Sequence, residues 1–177
     1  SCETIAACMA HPRIDALLAK IVRDEIAPHV RPVPDMSPNA YLDLIKKRFS
    51  NATIVDKTRR VASNGTTYHP GFLFPSIRDG LRRGVPVEGL ALVEAAWARL
   101  CEGTREDGSQ IEPNDPHWQE LRECAIRSKS DPGLWLGMGN IYGDLADDSR
   151  FAVAFAKWLH LIWSKGLEAA IDTYVEK

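Results

Sequence analysis

Apolar residues recur along this chain at the three-and-four spacing of helices, and no stretch alternates as a strand does. Ile14, Leu17, Leu18, Ile21, Val22 and Ile26 form one such face behind Pro12, a residue suited to a first helical turn, and Pro28 stops it. Glu3–Met9 predicts a short helix before it. Ser37-Pro38 is an N-cap and first-turn pair, with Tyr41, Leu42, Ile45 and Phe49 as the apolar face that follows. A third helix is expected from about Ala52 to Ser63, with Ile54, Val55, Thr58, Val61 and Ala62 on one side. Arg60 falls on the other side, four residues after Asp56, where the two can pair. Asn64-Gly65 ends that helix in a left-handed turn.

Further on, Pro75-Ser76 opens a short helix closed by Gly80 or Gly84. Val87–Cys101 is a strong helix with Leu90, Val93, Trp97 and Leu100 on one face, stopped by Gly103. A polar loop over Thr104–Asn114 turns at Asp107-Gly108. Asp115-Pro116 caps a helix carrying Trp118, Leu121 and Ala125 inward, broken at Asp131-Pro132-Gly133. Leu134–Leu145 is less regular. A helix from about Asp148 to Ser164 buries Phe151, Phe155, Trp158, Leu159 and Ile162, Gly166 ends it, and a last helix follows. Arg31-Pro32-Val33-Pro34 is a stiff connector inside one domain. The expectation is one all-α domain of about eight helices.

Composition narrows the function. At 177 residues the chain is long enough for one cored domain, and 45% hydrophobic with 26% charged residues is an ordinary globular balance. A formal net charge of -2, with both signs interspersed, argues against nucleic acid and an anionic membrane as partners. No apolar run approaches the roughly 18 to 20 residues of a membrane span. The four cysteines, Cys2, Cys8, Cys101 and Cys124, match no zinc spacing and predict reduced, inert thiols in a cytoplasmic protein. The five histidines are too dispersed for a metal site. Glu106 and Asp107 lead into a turn glycine, which favours a solvated turn over a catalytic pair. No dinucleotide, phosphate-loop or nucleophile motif is present.

What remains is Asn51–Pro75. Arg60 precedes a donor-rich loop of Asn64, Gly65, Thr66, Thr67, Tyr68 and His69. A guanidinium beside hydroxyls and amides suits a ligand rich in hydroxyls or bearing a carboxylate.

The segments Tyr41–Asn51, Ile54–Val61, Asn64-Gly65-Thr66 and Pro70–Pro75 together resemble the C-terminal domain of the mannitol dehydrogenase family, the long-chain, metal-independent polyol and hexuronate dehydrogenases. The shared features are a tyrosine helix, R-F-x-N, D-x-x-x-R and a proline-rich segment; Arg23–Ile26, Gly89–Trp97 and Ile141–Leu145 agree as well. The resemblance implies an all-α multi-helix fold like the C-terminal domain of 6-phosphogluconate dehydrogenases. It implies an N-terminal Rossmann-type domain, absent from this chain, that binds NAD or NADP and meets this domain across an interface. It makes a sugar alcohol or hexuronate the substrate and assigns Arg60, Asn64, Tyr68 and His69 to its binding. Two departures stand out. The family's Asp-Gly-Ser is Asn64-Gly65-Thr66 here, with Tyr68 at the position of a lysine. The family's K-x4-N-x2-H catalytic segment would lie upstream of Ser1, so no catalytic residue is assigned. The chain is therefore expected to be an inactive substrate-domain fragment whose exposed interface drives self-association. The alternative is a stand-alone helical binding module that kept the fold and lost the chemistry.

Overall fold

The structure is a computed structural model that describes residues 3–31 and 34–176. Cys2 and the Pro32-Val33 part of the expected connector lie outside the described residues. Among the described residues the secondary structure is helical, with two isolated antiparallel bridges in place of any sheet. In chain order the helices are α1 (Ile5–Met9), α2 (Pro12–Ile21), α3 (Pro38–Phe49), α4 (Thr58–Val61), α5 (Gly65–Tyr68), α6 (Phe74–Arg83), α7 (Glu88–Cys101), α8 (Trp118–Ser128), α9 (Gly133–Leu136), α10 (Gly139–Tyr142) and α11 (Ser149–Val175). No helix is long and apolar enough to cross a membrane.

The core forms where α7 lies along α11. Ala91, Leu92 and Ala95 face Phe155, Trp158 and Leu159 in one fully buried cluster, which Phe74 and Ile77 of α6 and Leu121 of α8 extend. Small alanines opposite large aromatics let the two helices approach closely. Gly166 takes φ 87 and ψ 166 inside α11, a conformation open to glycine, and divides it into the two helices the sequence predicts. The second half is capped from outside, because the Leu167 N–H donates to Glu106 Oε1 at 2.8 Å. Glu106 is thus a helix cap, and Asp107 accepts the Ser109 N–H within the turn.

That bend returns Tyr174 to the start of α7, where Glu25 is buried. Glu25 accepts the Gly89 N–H at 2.5 Å, the Leu90 N–H at 2.9 Å and the Tyr174 hydroxyl at 2.7 Å. An anion at a helix N-terminus satisfies otherwise orphan donors and meets the positive end of the dipole. Burial nevertheless pushes the Glu25 carboxyl upward, against the lowering effect of these donors. A π turn over Val22–Ile26 continues α2 and carries Glu25 there.

Two expectations fail. The helix drawn from Ala52 to Ser63 shrinks to the single turn of α4. Residues 56–58 pair with the N-terminal segment instead: the Ile5 N–H donates to Asp56 O at 2.9 Å and the Thr58 N–H to Glu3 O at 3.1 Å. β-branched Ile54 and Val55 favour that extended entry. The apolar side chains meant to be buried stay exposed, Val55 at 74% and Ile54 at 59%. In α3 likewise, Leu42 is buried while Tyr41 and Phe49 remain about half exposed.

The second failure concerns the expected loop over Asn64–His69 and the proline-rich segment that follows it, with a helix to begin only at Pro75. This stretch is helical from Gly65 onward: α5 runs through a π turn at His69–Leu73 into α6, which ends at Gly84 with φ 70. Pro70 and Pro75 supply no N–H to an α-helical ladder. The wide turn between them, closed by the Phe74 N–H on His69 O, carries the chain past both.

Candidate functional site

The candidate site is built on α4, α5 and the π turn. Arg60 donates from Nε and Nη2 to Asp56 Oδ1 and Oδ2 at 2.7 and 2.5 Å, the pairing that the spacing predicts. This guanidinium holds the Asp56 carboxyl below its ordinary range. The Arg60 side chain is 72% exposed, so its remaining N–H groups face outward. Neighbouring Arg59 turns the other way and donates to Glu112 O and Pro113 O, tying α4 to the loop before α8.

Asn64 takes the left-handed conformation at φ 56, as its side-chain type allows. Its N–H donates to Asn114 O at 3.0 Å, and the Asn114 side-chain amide donates to Ala62 O. Asp115 completes the clamp. It accepts from the Thr66 N–H at 2.9 Å, from the Thr66 hydroxyl and from the His117 N–H at 2.9 Å. One buried carboxylate therefore caps two helix starts. Gly65 lies flat on Trp97, where no side chain fits.

Tyr68 and His69 then diverge. Tyr68 is exposed and packs its ring against Phe72 at 5.9 Å. His69 points inward. Its ring lies 4.2 Å from that of Trp97, and Nδ1 sits 2.7 Å from Oε1 of Glu94, which is fully buried. The Tyr142 hydroxyl donates to Glu94 Oε2 at 2.9 Å, and the Trp135 indole N–H donates to the Tyr142 oxygen at 2.6 Å. Burial and the adjacent Glu94 raise the Tyr142 phenol well above its ordinary value, so it stays a donor.

Four residues expected from the sequence thus lie in one segment, with Arg60 and Tyr68 on its outer side and His69 at its inner edge. The polar network behind them was not anticipated. A signal existed: Glu94 follows Leu90 by four and precedes Trp97 by three, which places a carboxylate on the apolar stripe of α7.

Other features draw no chemistry to themselves. Among the described residues, Cys101 and Cys124 are free thiols, and burial raises both away from the thiolate. No group of three or more His, Cys, Asp or Glu among them is arranged to hold a metal ion. A cleft of about 510 Å³ opens between α6 and the start of α11, but its arginines are matched by carboxylates: Arg78 with Asp144, Arg82 with Asp79, Arg150 with Asp148.

Comparison with known proteins agrees with this fold. A mannitol 2-dehydrogenase of Cereibacter sphaeroides is 45% identical over 173 residues, which cover 98% of this chain and 36% of that protein. One of Phaeosphaeria nodorum is 30% identical over 94% of this chain and 29% of its own length. Among solved structures, Pseudomonas fluorescens mannitol 2-dehydrogenase in a ternary complex with NAD and D-mannitol superposes with a TM-score of 0.90 at 26% identity, over 99% of this chain and 36% of that one. A D-sorbitol dehydrogenase in substrate-free form shares the fold, with a TM-score of 0.84 at 21% identity, over 97% of this chain and 35% of that one. The chain spans about a third of the length of these relatives. The mannitol dehydrogenase C-terminal domain family matches residues 1–163, and the chain belongs to it.

Proposed function

We propose that this chain is the substrate-binding portion of an NAD-dependent polyol dehydrogenase that interconverts a secondary alcohol and a ketone, as between mannitol and fructose. The observation that carries this reading is the 45% identity, over 98% of the chain, with a mannitol 2-dehydrogenase. Arg60 binds substrate hydroxyls through the N–H groups that Asp56 leaves free. Tyr68 adds a contact from the outer side, His69 one from the inner edge, and Asn64 stands at the turn between Arg60 and them. NAD is held mainly by an N-terminal Rossmann-type domain, and no metal takes part.

The site is half of an active site. Arg60 is exposed, and the same stretch of chain carries the exposed apolar side chains of Ile54, Val55, Val61 and Phe72. Exposed apolar side chains grouped in this way suit burial against a further domain. In this proposal the N-terminal domain covers them, and without it they drive self-association. The 177 residues alone contain no general base matching the family's catalytic lysine, so they do not transfer hydride. The free thiols of Cys101 and Cys124 fit the reducing cytoplasm. The test is to assay the purified chain with NAD and D-mannitol, alone and joined to the N-terminal two-thirds of the Cereibacter relative. Activity only in the joined protein is expected. An inactive but folded and NAD-binding joined protein overturns the reading.

A further inference from the structure

His69 carries an arrangement that substrate contact alone does not require. Behind it lies Glu94, wholly withdrawn from solvent, with no lysine or arginine among the described residues bonded to it. A buried carboxylate is tolerated only where each oxygen is satisfied. Oε2 takes the Tyr142 hydroxyl, whose own oxygen is occupied by the Trp135 indole N–H. The order of donors is fixed from that side: indole to phenol, phenol to carboxylate. An ionised carboxylate only accepts, so Oε1 needs a proton from its other neighbour. That neighbour is His69 Nδ1, at 2.7 Å.

The imidazole is held in other ways too. It stacks on Trp97, itself edge-on to Trp135 at 5.2 Å, so ring plane and hydrogen bond are set by one buried unit. His69 stays partly exposed, and Nε2 makes no hydrogen bond to any described residue. It is also absent from the solvent-excluded, unpartnered polar atoms, which include both ring nitrogens of His29.

We propose that Glu94, with Tyr142 and Trp135 behind it, is a positioning residue that keeps the His69 proton on Nδ1 and leaves Nε2 to meet a hydroxyl of the bound sugar alcohol. This rests on the substrate-binding reading above. The assignment holds in either charge state: neutral His69 accepts at Nε2, protonated His69 donates from it, and Nδ1 stays on Glu94. The second ligand contact is therefore a single ring atom whose direction Glu94 and Trp97 fix.

The test uses the 177-residue chain with nitrogen-15 in its histidines. Long-range proton–nitrogen spectra of the neutral ring distinguish the two tautomers. The wild-type chain is expected to show His69 as the Nδ1–H form. Glu94→Gln, checked for retained helicity, is expected to bring up the Nε2–H form, because the Tyr142 hydroxyl takes the amide oxygen and turns the amide N–H₂ toward Nδ1, whereas Tyr142→Phe leaves the carboxylate to accept from Nδ1 and is expected to keep the Nδ1–H form. Arg60→Ala is expected to leave the tautomer unaltered. Added D-mannitol is expected to shift Nε2 in the wild type, and Glu94→Gln to weaken binding by roughly tenfold, the scale of one misdirected hydrogen bond. A wild-type His69 in the Nε2–H form, or a folded Glu94→Gln with an unchanged tautomer, overturns the positioning role. Mannitol shifts at the amides of Asp56–Tyr68 with Nε2 unmoved overturn the hydroxyl contact and leave the substrate reading standing. Absence of any shift at saturating mannitol, with the tautomer as expected, overturns the substrate reading and the hydroxyl contact, while Glu94's hold on Nδ1 stands.

Discussion

Gly65 rests against Trp97 so closely that a Cβ there would lie 2.5 Å from the indole Nε1. The ring has nowhere to move, since His69 covers one side and Trp135 meets its edge. Gly65→Ala is therefore expected to destabilise the fold by about 1–3 kcal/mol, the usual scale of overpacking. It should also displace Asn64 and Thr66, which flank the contact. Calorimetry reads the first effect, and amide shifts confined to 62–69 and the Trp97 surroundings read the second. An unchanged melting temperature would count against the tight packing.

Asp115 joins α5 to α8 through Thr66 and His117. Asp115→Ala removes the acceptor for three donors, two of them backbone N–H groups at helix starts. A loss of about 2–3 kcal/mol is expected in chemical denaturation, with faster hydrogen exchange at Thr66 than at Leu121 in the core. Asp115→Asn keeps one acceptor oxygen and should lose less. Equal losses for the two variants would mean that the hydrogen bonds do not hold the segment.

The same clamp explains where sequence reading succeeded and stopped. The long helices were legible because α7 and α11 bury continuous apolar faces, and Gly166 announced its bend. The i, i+4 spacing announced the Asp56–Arg60 pair. Residues 52–56 misled because Ile54, Val55 and Val61 mimic a buried helical face, yet all three stay exposed. The helix through Pro70 and Pro75 misled because two prolines normally end helices, and a π turn is not a local propensity. Glu94 and Asp115 went unread for a different cause. Their roles are set by partners 25 and 49 residues away, a distance at which periodicity carries no information.

Acid should act on the two neighbours Asp24 and Glu25 in opposite senses. The Arg23 guanidinium, then the Lys20 ammonium, holds the Asp24 carboxyl at about 2, against an ordinary 3.8. A depressed carboxyl stabilises the fold above its unfolded value, and that contribution is lost as the pH falls through about 2. Because the pair is partly solvated, Asp24→Asn should cost at most about 1 kcal/mol near neutrality and nothing in strong acid. Glu25 is raised by burial, so its linkage contribution is present below its ordinary 4.5 and is lost as pH rises through its higher folded value. Glu25→Gln should remove that second slope. It should also lower stability by about 1–3 kcal/mol, because an amide N–H₂ then faces a backbone donor. Denaturation midpoints followed from strong acid to neutrality separate the two. Parallel profiles for the wild type and both variants would contradict this account.

Arg60 offers the sharpest separation of stability from binding. Its side chain is 72% exposed, and Asp56, one helical turn away, is its hydrogen-bonded partner. Exposed pairs of this kind add little to a fold, because solvent screens them and two side chains lose freedom. Arg60→Ala should therefore leave the melting temperature nearly unchanged while weakening polyol binding at least tenfold in the chain joined to an N-terminal domain. Arg60→Lys keeps the charge but not the planar fork that can hold Asp56 and a hydroxyl together, so it should recover only part of the affinity. Binding isotherms for D-mannitol with the three proteins decide the matter. Full affinity in Arg60→Ala would place the polyol elsewhere on the domain. Full recovery in Arg60→Lys would reduce Arg60 to a point charge.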